Sequence, residues 1–221
     1  MIHENIEQLV SKLPTHVRLV AVSKFHSEEE IMEAYNAGQR DFGENRPQEM
    51  AAKQQNLPKD IRWHFIGNLQ KNKVKLVVQN VFLIHSVSSV ELLQAIDEAA
   101  KKTDKMVDCL LEFHIAGETT KQGFDAGEIN DFLASDQYKV MKNIRIRGVM
   151  GMASFVDDMQ QVRKEFKTLK SHFDNLKQQY FIDNEYFTEI SMGMSGDYEI
   201  AIEEGSTMVR IGTSIFGPRN Y

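Results

Sequence analysis

Lys24 follows the apolar run "LVAV" by a single serine, so an ammonium group stands at the end of what reads as a buried strand. Packed among other side chains, an amine loses the hydration that favours its charged form, and the neutral amine is a nucleophile. A lysine placed this way forms Schiff bases with carbonyl compounds, either sugar-like substrates or pyridoxal 5'-phosphate. Two later stretches point to a phosphorylated ligand. In "SMGMSGD" (191–197), small residues at the start of a helix let backbone N–H groups approach an anion, and "RIGT" (210–213) repeats the device. Either stretch alone reads as a capped helix start; the pair, after the last two strands of the chain, reads as a phosphate site.

Eight apolar, β-branched runs supply elements to carry these residues: 17–24, 40–45, 61–67, 81–87, 106–116, 144–153, 186–194 and 208–217. Helical patterns lie between them, from "SEEEIMEAYNAG" through "LQKNKVKLVVQ" and the long "DDMQQVRKEFKTLKSHFDNLKQQ" to "GDYEIAIEEG", and an amphipathic N-terminal helix precedes them all. Ser and Asp stand where helices start, and Gly38 and Gly205 where they stop. Strict alternation means parallel strands with helical crossovers, and eight such units close a barrel. The expected fold is α/β, a (β/α)8 TIM barrel with an additional N-terminal helix, in one domain over 1–221. An open doubly wound sheet is the rival, but "VSKFHSEEE" lacks its glycine-rich fingerprint.

In such a barrel chemistry sits at the carboxyl ends of the strands. Those ends hold Lys24, Glu44, Asn45, His64, Gly67, His85, Ser86, His114, Met150, Gly151, Ser191, Gly193, Ser195, Arg210, Gly212 and Thr213.

Composition narrows the setting. The 221 residues are 42% hydrophobic and 26% charged, ordinary globular values. No apolar run reaches the ~18 residues of a membrane span, and "MIHENIEQLVSKL" is unlike a secretory signal, so a cytoplasmic location is expected. The single cysteine, Cys109, excludes an internal disulfide and reads as a packed strand thiol. A net charge of −6 argues against nucleic acid as the main partner.

The motifs "AVSK", "DFGENRPQE", "WHFIGNLQKNK", "HSV", "GVMGM", "SMGMSGD" and "VRIGTSIFG" stand in the order and spacing of one family, and in them the chain resembles the YggS/PROSC pyridoxal phosphate homeostasis proteins over nearly its whole length. The resemblance implies a type III pyridoxal phosphate fold in which Lys24 carries the cofactor as an internal aldimine. It implies a role in holding and delivering pyridoxal phosphate and in vitamin B6 and amino-acid balance, without an established catalytic turnover. By match to the family motifs, Asn45 and His64 line the ring side and Ser191, Ser195, Gly212 and Thr213 surround the phosphate; Ser86, Met150 and Gly193 complete the cofactor-binding set. Arg210 faces the pyridine nitrogen or, on the other assignment, the phosphate. At the nitrogen it would leave the ring unprotonated and a poor electron sink, which suits a carrier or a racemase better than a transaminase. One departure lies at the end of the fifth strand, where the family often has "VN" and this chain has "FHIAGE", with His114 in place of asparagine.

The alternatives are an amino-acid racemase of the same barrel fold and a class I aldolase. The racemase needs an opposed second base, commonly a tyrosine brought by an extra β domain, and the sequence stops at Tyr221, just past the eighth strand. The aldolase needs carboxylates beside the lysine, and Glu44, Glu112 and Glu189 form no evident dyad. The expected partners are pyridoxal phosphate and pyridoxal phosphate-dependent apoenzymes that receive it, with no nucleic acid, no membrane and a monomeric state. No metal site is expected.

Overall fold

The computed structural model describes residues 1–117 and 122–218, so Tyr221 and the final Glu118 of "FHIAGE" lie outside the described residues. Helix α1 (Ile2–Lys12) leads into β1 (Arg18–Val22), α2 (Glu28–Asn36), β2 (Asp41–Glu44), α3 (Pro47–Asn56) and β3 (Arg62–Phe65). A 3-10 turn (Lys71–Lys73) runs into the short α4 (Val74–Val77), followed by β4 (Leu83–Val87), α5 (Val90–Lys102) and β5 (Val107–Glu112). Then come α6 (Ala126–Ala134), α7 (Asp136–Lys139), β6 (Ile144–Met150) and α8 (Met159–Tyr180). The last elements are β7 (Glu189–Ser191), α9 (Tyr198–Glu203), β8 (Met208–Ile211) and α10 (Thr213–Phe216).

Each strand pairs in parallel with its neighbour in sequence, and β8 returns to β1 with Arg18 opposite Met208 and Ala21 opposite Ile211. The sheet is a closed eight-stranded barrel, the (β/α)8 architecture that the alternation implies. Local chemistry starts the helices. Ser27 and Glu30 form a capping box ahead of α2, and the Asp158 carboxylate accepts the amides of Gln160 and Gln161 to start the 22-residue α8.

Side chains alternate across the strands with period two, which separates two cores. Outward residues such as Leu19, Phe42, Trp63, Phe65, Leu111 and Ile211 pack beneath the helices in one large cluster, which also holds Cys109. Inward residues Val20, Leu83, Leu110, Met150 and Met208 form a second cluster inside the barrel. Burial drives the Cys109 thiol far above its ordinary range, as expected of a packed rather than a reactive sulfur. Where β5 and β6 shift register, Gly148 adopts φ 152°, and a Cβ there would lie 1.8 Å from the Glu189 carbonyl oxygen. Only glycine lets β7 dock at that point.

Several elements are shorter than the sequence expectation, the run 186–194 being strand only over Glu189–Ser191 and the run 144–153 only to Met150. The run 208–217 is strand only to Ile211, because "TSIF" turns into α10 with Ile215 buried. The run 106–116 is strand only to Glu112, after which the chain leaves the sheet through an isolated bridge between Phe113 and Phe124. The pattern "LQKNKVKLVVQ" gives a 3-10 turn and one α turn, since no side-chain cap opens either.

Candidate functional site

At the carboxyl ends of the strands lies a cleft of about 340 Å³, within the size range of small-molecule sites. Lys24, one peptide beyond Ser23 at the end of β1, lines it together with Asn45, Ile66, Ser195, Gly196, Asp197, Arg210, Gly212 and Thr213. Lys24 is half-buried. Asn45 presents a side-chain oxygen that is buried and has no hydrogen-bond partner. An unpaired buried acceptor on the wall of a cleft is costly unless a ligand donor meets it.

Asn45 is held from behind by close backbone contact. A Cβ on Gly67 would lie 2.2 Å from the Asn45 carbonyl oxygen, and the Ser86 hydroxyl donates to the Gly67 carbonyl. Ser86 thus supports the wall and does not line the cleft. Met150 is buried in the inner barrel cluster, and Gly193 is buried against Ala201 and Tyr198.

His64 and Ser191 also lie off the cleft, in a polar chain across the barrel interior. Arg210 donates through Nη1 to the Ser191 carbonyl at 2.8 Å and to its hydroxyl at 2.5 Å, and through Nη2 to the Gly151 carbonyl at 3.1 Å. Ser191 Oγ lies 2.8 Å from His85 Nδ1, His85 Nε2 lies 2.9 Å from His64 Nδ1, and His64 Nε2 lies 2.9 Å from Asp41 Oδ1. Burial would raise the Asp41 carboxyl, but hydrogen bonds from Arg62 and His64 outweigh it and hold Asp41 down to about 2. Asp41 is therefore a charged, acceptor-only end, and that fixes every proton in the chain. His64 donates to Asp41, His85 donates to His64, Ser191 donates to His85, and Arg210 donates to Ser191. Burial lowers Arg210 to about 10, with Asp197 and Glu112 opposing, so it stays a cation near neutral pH.

This chain makes stability depend on pH. Both imidazoles are buried, and burial pushes each below the usual 6.5, His85 furthest. Unfolding releases them, so below 6.5 the unfolded chain binds more protons and stability falls as pH falls. Each imidazole contributes a slope of up to about 1.4 kcal/mol per pH unit. Asp41 acts lower: its contribution is present above 3.8 and is lost as pH falls through about 2. We expect the urea midpoint to drop between about pH 7.5 and about pH 5.5, and to drop less in His85→Phe, which keeps one buried imidazole. A pH-independent midpoint would mean that the imidazoles take up protons in the fold as readily as in the unfolded chain.

Also lining the cleft, Ser195 and Gly196 precede α9, while Gly212 and Thr213 open α10. The first amides of a helix have no intrahelical acceptor, although at α9 those of Asp197 and Tyr198 already donate to the Met194 carbonyl. Gly212 packs so closely that a Cβ would lie 3.2 Å from the Val22 carbonyl oxygen, so its backbone borders the cleft directly. Among the described residues that line the cleft, Asp197 is the one carboxylate. Burial raises it, while the Met194 amide, 2.5 Å from Oδ1, and the Arg210 charge pull it back.

Sequence reasoning missed one wall of the cleft entirely: Met152, Ser154, Phe155, Val156, Met159 and Val162, from the β6–α8 connection and the start of α8. The readable signal was "GMASFV", which keeps large apolar residues past a strand end; Phe155 is 97% exposed. His114, the departure from the family pattern, is half-buried just past β5, with its amide donating to the Phe124 carbonyl.

Residues 1–220 match the family described as alanine racemase, N-terminal domain. The pyridoxal phosphate homeostasis protein of Aquifex aeolicus is 39% identical over 92% of this chain and 88% of its own. The human protein of the same name is 35% identical over 100% of this chain and 85% of its own. This chain belongs to the pyridoxal phosphate homeostasis protein family. Among solved structures, PipY of Synechococcus elongatus without pyridoxal phosphate matches with a TM-score of 0.91 at 37% identity, over 98% of this chain and 100% of that one. The same protein with pyridoxal phosphate bound matches with a TM-score of 0.88. Alanine racemase from E. faecalis shares the fold at 16% identity and a TM-score of 0.70, with only 58% of its chain covered. Among the described residues, no helix is long and apolar enough to cross a membrane, and no cluster of three or more His, Cys, Asp or Glu side chains forms a metal site.

Proposed function

We propose that this protein holds pyridoxal 5'-phosphate covalently and reversibly at Lys24 and serves its homeostasis in the cytoplasm, passing it to pyridoxal phosphate-dependent apoenzymes. The observation that carries this reading is the pairing of Lys24 with the unpartnered Asn45 oxygen in one cleft, in a chain 37% identical to a protein solved with that cofactor. The residues fit the group chemically. Lys24 supplies the amine; Asn45 supplies an acceptor for a phenolic hydroxyl; Ser195, Thr213 and nearby amides supply donors for a dianionic phosphate. Arg210 supplies a cationic, donor-only edge, suited to a pyridine nitrogen that carries no proton of its own. His64, Ser86, Met150, Ser191 and Gly193 take part from behind, by holding Arg210 and Asn45 or by filling the barrel.

Bound there, the cofactor supplies an aldehyde for amines and an electron-withdrawing ring. The chain's part is to aim the Lys24 amine, hold the phosphate and keep Arg210 from giving up its proton. We take the working unit to be a monomeric single domain, supported by the closed barrel core. The test is a titration with pyridoxal phosphate followed by visible absorbance, borohydride reduction and peptide mapping. A visible band and a label on the Lys24 peptide are expected. A label on another lysine, or none, would overturn the reading.

A further inference from the structure

Three charged side chains outside the cleft converge on the peptides that carry Lys24. Lys53, on the face of α3 turned to the barrel, is 6% exposed and spends its ammonium group on three acceptors. They are the Ser23 carbonyl at 2.9 Å, Glu44 Oε1 at 2.8 Å and Glu49 Oε1 at 2.8 Å. The same Glu49 oxygen accepts the Phe25 amide at 2.8 Å, and Glu44 Oε1 accepts the Ser23 hydroxyl at 2.6 Å. The residue before Lys24 is thus pinned by its carbonyl and hydroxyl, and the residue after it by its amide.

The pinned backbone is not one the chain would adopt unaided. Phe25 has φ 67°, a left-handed conformation that a bulky side chain rarely takes. Its ring is half exposed beneath the Arg46 guanidinium, 4.6 Å away, so no burial of the ring compensates for the strain. Strain of this kind persists only where the surroundings over-determine it. A buried lysine with two carboxylates is also a costly way to fill space, since apolar side chains of similar volume would serve packing at least as well. The cluster therefore needs a reason beyond packing.

The geometry points to Glu49 and Lys53, one turn apart on α3, as positioning residues that clamp the Ser23–Phe25 backbone and so aim the Lys24 amine into the cleft. The inference rests on the reading that Lys24 is the attachment site. In that step the neutral amine adds to an aldehyde carbon, one C=N bond forms and one water leaves. A nucleophile misplaced by about 1 Å can lose two orders of magnitude in effective reactivity, so a clamp on its backbone acts directly on attachment. Binding through the phosphate, by the Ser195 and Thr213 loops, does not need the amine to be aimed.

The experiment compares two ligands on Glu49→Ala, wild type and Glu49→Gln: pyridoxal 5'-phosphate, which can attach, and pyridoxine 5'-phosphate, which has no aldehyde and cannot. For Glu49→Ala we expect pyridoxal phosphate affinity and borohydride trapping at Lys24 to fall about tenfold or more, with pyridoxine phosphate affinity unchanged. Glu49→Gln, which keeps an acceptor for the Phe25 amide, should restore most of the loss. If Glu49→Ala fails to fold, the neutral double variant Glu44→Gln/Lys53→Met carries the same comparison. Equal loss of both ligands would make the cluster merely structural, and no loss of either would remove its role; both outcomes overturn the inference. Absence of trapping in the wild type would instead overturn the attachment reading beneath it.

Discussion

Lys24→Ala abolishes the Schiff-base absorbance band and the borohydride-trapped label while leaving the fold intact. The loss is complete because no other amine among the described residues has the same standing. Lys24 is the lysine that lines the cleft, and Lys53, which approaches the same turn, has all three donors engaged by Ser23, Glu44 and Glu49. The urea midpoint of the variant, measured beside the spectrum, checks that Lys24, half-buried in the fold, is lost without unfolding. Pyridoxal phosphate should still bind, more weakly and with the spectrum of the free aldehyde, through the phosphate loops. Calorimetric titration beside the spectrum separates the two contributions. A variant that keeps the band would move the attachment to another lysine.

That prediction was legible in the sequence; much of what surrounds it was not. Period-two alternation places Lys24, Asn45 and Arg210 at strand ends, and eight alternating units close the barrel, so the cleft's general location follows from local pattern. Depth along the barrel axis does not. His64 and Asn45 both stand at strand ends, yet His64 turns its Nε2 down to Asp41 while Asn45 lines the cleft. Only the register of Asp41 opposite Arg62, and Gly43 opposite His64, decides that, and register is a non-local property. Ser191 reads as a phosphate ligand for the same reason: it shares a glycine-rich motif with Ser195, but its hydroxyl belongs to the Arg210–His85 chain. The apolar wall from Met152 to Val162 escaped because a connection has no periodicity to betray it. Nothing in the local pattern marks Lys53 as buried; its burial depends on Glu49 one turn earlier and Glu44 at the end of β2.

The second large effect should appear at the loops that open α9 and α10. Ser195→Ala and Thr213→Ala each remove a hydroxyl from the proposed phosphate site, and a hydrogen bond to a charged group is worth about 1.5 to 3 kcal/mol. Each substitution should therefore weaken pyridoxal 5'-phosphate by about one to two orders of magnitude. Neither residue makes part of the Arg210, Ser191, His85 chain, so the ring end of the cleft keeps its electrostatics and the position of the visible band should not move. Unphosphorylated pyridoxal is the control: it lacks the group the loops would hold, so its weaker affinity should be the same in wild type and both variants. If the variants bind pyridoxal phosphate as tightly as wild type, the phosphate is held elsewhere. If they lose pyridoxal equally, the two loops shape the ring site, and Arg210, the arginine that lines the cleft, becomes the phosphate ligand.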